Sequence, residues 1–210
     1  MHWIDPNSLP EFAGKFECFV LNPHGEVDGF VMTGDTSVSI LVHTPPHMDD
    51  ELTRHIAPGD SIRVRGVRPR GAELLAAVAV TTASGQKIVD EGPGHDRKHP
   101  KVKHQPMDAE GTVRMSLFGP KGELRGALLS EGVVLRIGPK EAESVAPLLA
   151  PGAKVAARGD GAETQHGRVI HVLEIGPDLH ALKPVRKPKP KNPKEDPKHK
   201  PKPDAEVRAA

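Results

Sequence analysis

Tyrosine is absent from this chain, and its 210 residues include one tryptophan, five phenylalanines and one cysteine. So few rings provide poorly for an aromatic platform of the kind on which single-stranded nucleic-acid binders stack successive bases, each worth about 1–3 kcal/mol. A lone cysteine excludes an intrachain disulfide. Cys18 alternates with Phe16 and Val20 and reads as a small core residue. Long apolar runs are missing as well, so no segment has the length to cross a bilayer as a helix. Met1-His2-Trp3-Ile4-Asp5-Pro6 meets charge and proline before a signal-peptide core can develop. The expectation is a soluble, cytoplasmic protein with no membrane partner. There is no phosphate loop, dinucleotide fingerprint, His-Glu-x-x-His or nucleophile elbow, so no catalytic residues, no cofactor and no enzymatic activity are expected.

Glycine and proline, in contrast, are abundant and periodic. Gly14, the turn Asn22-Pro23-His24-Gly25-Glu26-Val27-Asp28-Gly29, Pro45-Pro46-His47, Ala57-Pro58-Gly59-Asp60 and Arg65-Gly66 recur as Gly111, Gly119-Pro120-Lys121-Gly122-Glu123-Leu124-Arg125-Gly126, Gly138-Pro139-Lys140, Ala150-Pro151-Gly152-Ala153 and Arg158-Gly159. The offset is 97 early in the unit and 93 later, so one short deletion reconciles the copies. The chain is a tandem repeat of two small units. Its boundaries fall at 1–90, a basic His/Pro linker over 91–107, a second unit over 108–182, and a Lys/Pro-rich tail over 183–210.

Within the first unit, alternating apolar residues predict strands over 14–21, 27–33, 38–43, 61–65 and 74–81. Met48, Leu52 and Ile56, four apart, predict a helix whose start carries Asp49-Asp50-Glu51, where its dipole favours acids. The second unit repeats the order near 112–118, 123–129, 133–137, 153–158 and 168–175, with a helix from about Lys140 that Pro147 cuts short. Three strands, a helix and two strands is the order of the OB-fold, a small Greek-key barrel. The fold class expected is therefore all-β with one short helix per unit: two tandem five-stranded OB-like barrels followed by a disordered tail. The Asn-Pro-His-Gly turn and the Pro-Pro-His before the helix also resemble those of a group of small, uncharacterised bacterial proteins. That resemblance implies the tandem OB-like fold and brings no activity or functional residues with it.

Charge is unevenly distributed. Residues 1–90 carry 7 Lys/Arg against 12 Asp/Glu and residues 108–182 carry 8 against 10, whereas the linker carries 4 against 2 and the tail 10 against 4. Acidic barrels are thus joined and followed by basic segments. On the first barrel, Arg63 and Arg65 share a strand face, and Gly66 to Pro69 offers a bend that brings Arg68 and Arg70 alongside. Such guanidinium groups can contact phosphates or stack on bases, or else form a solvated face that protects a sheet edge. Lys187, Lys189 and Lys191 belong to a proline-rich stretch too polar to pack, expected to be extended and able to follow a polyanion, or simply to solubilise or anchor.

Twelve histidines raise the question of metal. His24, His43 and His47 match no compact zinc spacing, and the repeat substitutes Lys121 for His24 and Lys140 for His47, which a metal site does not tolerate. No metal site is expected. His95, His99 and His104 read as part of a pH-tunable basic linker. Three functions remain open at this point. The leading one is a non-enzymatic nucleic-acid-associated protein, for single-stranded or duplex nucleic acid, with little sequence specificity. The alternatives are a protein-interaction or assembly module, and a small-ligand or anion sensor that requires a pocket between the barrels.

Overall fold

The computed structural model describes residues 5–34, 37–71, 73–93 and 102–186. In the first unit β1 (Glu11–Leu21), β2 (Val27–Gly34), β3 (Ser39–His43), β4 (Ser61–Val67) and β5 (Leu74–Thr81) are joined in the order β3-β2-β1-β4-β5, and the parallel pairing of β3 with β5 closes the barrel. Helix α1 (Asp49–His55) lies between β3 and β4, and a short β6 (Lys87–Val89) adds to the outside of β5.

The second unit repeats the pattern. Strands β7 (Gln105–Phe118), β8 (Leu124–Leu129), β9 (Val133–Arg136), β10 (Lys154–Thr164) and β11 (Gly167–Gly176) close through the β9–β11 and β10–β11 pairings, α2 (Pro139–Ser144) follows β9, and β12 (Lys183–Pro184) pairs with β11. Two closed five-stranded OB-like barrels are the architecture read from the sequence. Each has a sixth, edge strand that the periodicity did not reveal.

The elements form for the reasons the sequence offers. Met48, Leu52 and Ile56 turn one face of the helical segment into the first core, 2%, 0% and 5% exposed. Pro147 does interrupt the second helix: α2 ends at Ser144 and a 3₁₀ turn over Ala146–Leu149 takes its place. The repeated Arg-Gly marks a bulge in both copies, between Arg65 and Gly66 and between Arg158 and Gly159. A Cβ on Gly66 would lie 2.1 Å from the Ala76 carbonyl oxygen, and one on Gly159 1.9 Å from that of His171, so only glycine allows the strands this approach. Two boundaries extend beyond the sequence reading. Gln105 to Met107, read as linker, start β7, while Lys183 and Pro184, read as tail, form β12. Val185 packs on the second core and Arg186 donates to Glu141 Oε1 at 2.7 Å.

Each barrel has its own core, built around Phe16, Phe30, Leu52 and Leu75 in the first and Leu129, Leu135, Leu149 and Ile170 in the second. A third apolar cluster lies in the seam between the barrels, and it draws on the same positions of both copies: Val20 with Leu117, Val31 with Leu128, Leu41 with Val134, Leu74 with Val169. The contact is isologous, as in a two-fold dimer, but made within one chain.

Bulges create the seam. In β1 the register shifts between Phe16 and Cys18, and in β7 between Val113 and Met115, so the side chains after the bulge change face. Phe16 points into the first barrel; Cys18 and Val20 point at the second. Cys18 is therefore a half-buried seam residue rather than a barrel-core residue, and burial raises its thiol above the ordinary range.

Candidate nucleic-acid interface

OB-folds commonly bind oligonucleotides on the face of strands 2 and 3 with the flanking loops. In this chain the outward side chains Val31 and Leu41 on that face of the first barrel, and Leu128 and Val134 on that of the second, are buried against each other in the seam. The turn between the first two strands is taken up as well. Asn22 Oδ1 accepts from the amides of His24 (2.8 Å) and Glu26 (3.1 Å), and its amide nitrogen donates to Glu26 Oε2 at 2.8 Å. The Asn-Pro-His-Gly motif is thus a self-satisfied turn with Gly25 at φ +82°, packed near Val102 and Thr164. In Pro-Pro-His, His47 Nε2 meets Asp90 Oδ1 at 2.7 Å and ties the start of the helix to the segment after β6. These bonds shape both motifs locally.

On the first barrel the outer face of β1, β4, β5 and β6 stays open. Opposed residues of neighbouring strands point the same way. Arg63 lies opposite Ala13 on one side and Thr81 on the other, and Thr81 lies opposite Lys87. Lys15, two residues on from Ala13, shares the face. Lys15 and Arg63 are exposed, have no acceptor among the described residues, and line a groove of about 650 Å³ with Thr33, Gly34, Ser37 and Thr82. Lys15 and Lys87 were not singled out by the sequence, because they stand 48 and 24 residues from Arg63 and only the pairing register makes them its neighbours. No local pattern signals that.

The four arginines read from the sequence occupy distinct positions. Arg65 faces the same way as Arg63 but is engaged: Nη2 meets Glu11 at 2.9 Å and Nη1 donates to the carbonyls of Asn7 and Leu9. Its counterpart Arg158 makes the corresponding cross-strand pair, donating from Nε and Nη2 to both Asp108 oxygens at 2.9 Å. The repeated arginine therefore has a sheet-pairing role in both barrels. Arg68 leaves the strand face and lies 5.0 Å from the ring centroid of Phe12, a cation–π contact at the barrel mouth. Arg70 is exposed in the turn before Gly71 and has no acceptor among the described residues. Lys187, Lys189 and Lys191, with most of the linker, lie outside the described residues.

Charges in the seam are ordered by the repeat. Glu17 and Arg114 are the same position in the two copies, both bulge residues, and they pair with each other; Arg114 also donates to Ser39 Oγ at 3.1 Å. Burial alone would raise the Glu17 carboxyl, but the Thr33 hydroxyl, the Arg114 guanidinium and Ser39 outweigh it and hold it below the ordinary range. Asp28 and Arg125 are likewise one position in two copies, as are His43 and Arg136. Arg136 pairs with Asp28 and donates from Nε to the Leu21 carbonyl at 2.8 Å. Burial raises the Asp28 carboxyl and lowers the Arg136 guanidinium, each against the partner's charge, so desolvation offsets much of what their attraction contributes. Among the described residues no group of three His, Cys, Asp or Glu side chains is placed to hold a metal ion.

No family model and no curated protein matches this chain. Among solved structures it is similar to a deletion mutant of the single-stranded DNA binding protein from Thermus aquaticus, at 12% identity and a TM-score of 0.25, over 88% of this chain and 96% of that one.

Proposed function

We propose that the chain is a non-enzymatic nucleic-acid-associated protein that holds phosphate backbone, with little sequence preference, on the outer β1–β4–β6 face of its first barrel. The observation that carries this reading is the pair of cations Lys15 and Arg63, without an acceptor among the described residues, beside an open groove on an otherwise acidic barrel. Arg70 extends the cationic surface, and Lys87 and Arg68 stand at its borders. The tail lysines Lys187, Lys189 and Lys191 add a second, diffuse contact. With the strand 2–3 face buried and no exposed ring on the open face among the described residues, the reading rests on counterion release from phosphates rather than on base stacking.

Fluorescence anisotropy of labelled single-stranded DNA, single-stranded RNA and duplex DNA across a salt series tests this, using the full chain, a chain ending at Arg186, and the triple variant Lys15→Gln/Arg63→Gln/Arg70→Gln. Removing one cation that neutralises a single-strand phosphate should flatten the slope of log K against log salt by about 0.7. The triple variant should therefore reduce the slope by about 2, while tail removal weakens binding without abolishing it. If binding vanishes with the tail and ignores the triple variant, the barrel has no part in it. If neither chain binds, the nucleic-acid reading fails and the protein-interaction reading replaces it.

A further inference from the structure

A cavity of about 310 Å³ opens at the seam, walled by Asp28, His43, Phe118, Arg125, Arg136 and His171. That is room for on the order of ten waters, and near the lower bound for small-molecule sites, which favour domain junctions. It is lined by strand residues and by the turns at Pro23 and at Gly119-Pro120, not by the histidine and lysine side chains of those turns.

The repeat orders the charges around the cavity. Because the barrels meet through equivalent positions, the seam has two matching places for a charged pair: position 28 against position 136, and position 125 against position 43. The first holds a carboxylate and a guanidinium. The second holds Arg125 and His43, with Glu123 beside Arg125 and the Asp28 carboxylate beside His43. Arg125 Nε donates to Glu123 Oε1 at 3.3 Å, but its two terminal amino groups have no acceptor among the described residues. Glu123 is already occupied by that contact and by the Lys121 amide at 3.1 Å. Arg136 gives Nε to Leu21 and Nη2 to Asp28, leaving Nη1, which among the described residues has no acceptor either. Burial lowers the His43 imidazole below its ordinary range, so near neutral pH it is a neutral hydrogen-bonding group. The cavity thus presents two guanidinium groups, each with one carboxylate partner, Glu123 for Arg125 and Asp28 for Arg136, and each with terminal N–H groups left over among the described residues, beside an apolar wall of Phe118 and Ile137.

We propose that this seam cavity binds a small organic anion, its phosphate or carboxylate group accepting from the terminal amino groups of Arg125 and from Nη1 of Arg136, and its apolar body resting against Phe118. Since the cavity is walled by both barrels, binding also tightens the seam. The site does not depend on the nucleic-acid reading, as none of its residues is on the β1–β4–β6 face.

Isothermal titration of the full chain at constant ionic strength tests the proposal, with phenyl phosphate, benzoate, phenol and inorganic phosphate as probes. Phenyl phosphate or benzoate should bind at least tenfold more tightly than phenol, and the better of the two should also exceed inorganic phosphate by tenfold. Arg125→Gln, at a half-exposed position, should keep the melting temperature of the unliganded protein and weaken the anionic probe at least tenfold. Lys15→Gln/Arg63→Gln should leave that affinity unchanged, and Arg125→Gln should leave DNA anisotropy unchanged, which separates the two sites. Equal binding of phenol and phenyl phosphate, undiminished binding by Arg125→Gln, or no binding of any probe overturns the proposal.

Discussion

Replacing Leu128 by alanine tests the claim that the barrels are one folding unit rather than two beads on a linker. Leu128 is 1% exposed and belongs to neither barrel core; it contributes to the seam cluster with Val20, Val31 and Leu117. Truncating a fully buried leucine costs about 2–5 kcal/mol, the sum of forfeited transfer energy and the cavity left behind. For a chain of this size each kcal/mol lowers the melting temperature by about 2–4 °C, so a fall of roughly 4–20 °C is expected. Calorimetry, with urea unfolding followed by circular dichroism and by amide exchange in β2 and β8, measures it. The transition should remain single and move as a whole, and exchange should quicken on both sides of the seam. Leu173→Ala, at a 49% exposed position, is the control and should stay within about 0.5 kcal/mol. A Leu128→Ala destabilisation under about 1 kcal/mol, or two transitions of which only one moves, refutes a shared seam core.

The same geometry sets the outcome of other substitutions. Glu17→Arg sets two guanidinium groups face to face and should destabilise the chain by about 0.2–1 kcal/mol, with Arg114→Glu in the same molecule restoring it; strictly additive effects in urea unfolding would deny the pairing. Because the Glu17 carboxyl is held below its ordinary 4.5, its contribution is complete above about that pH and is lost as pH falls through the folded value, so Glu17→Gln should flatten the acid limb of the stability profile while leaving neutral pH nearly unchanged in slope. Thr44→Val removes a hydroxyl that is fully buried and without a hydrogen-bond partner among the described residues, and should raise stability by about 1 kcal/mol in thermal melts; an unchanged or lower melting temperature contradicts this. Gly66→Ala drives a methyl into the Ala76 carbonyl and should cost about 1–3 kcal/mol in urea unfolding, whereas Gly85→Ala, whose Cβ meets nothing within 4 Å, isolates the cost of positive φ alone.

The two barrels were legible in the amino-acid order because their causes are local or repeated. Alternation marks strands, Met48, Leu52 and Ile56 mark a helix face, Pro147 stops a helix, and glycines recur where the backbone turns or where strands approach too closely for a Cβ. The Arg65 and Arg158 correspondence was visible too, but its meaning was not. Only the pairing register shows that each arginine sits opposite an acid, Glu11 or Asp108, and so serves the sheet.

Sequence alone therefore determined the repeat, the barrel order and the scarcity of rings. Tertiary structure alone decided which faces remain open. An outward strand face reads the same in sequence whether it meets water, nucleic acid or another barrel, since alternation reports that a side chain is apolar and not what covers it. One bulged residue in β1 and its equivalent in β7 invert the faces that follow, turning Val20 and Leu117 into seam residues and setting Glu17 against Arg114. The cation pair Lys15 and Arg63, and the cavity beside Arg125, arise from strands far apart in the chain that hydrogen-bond registers bring together.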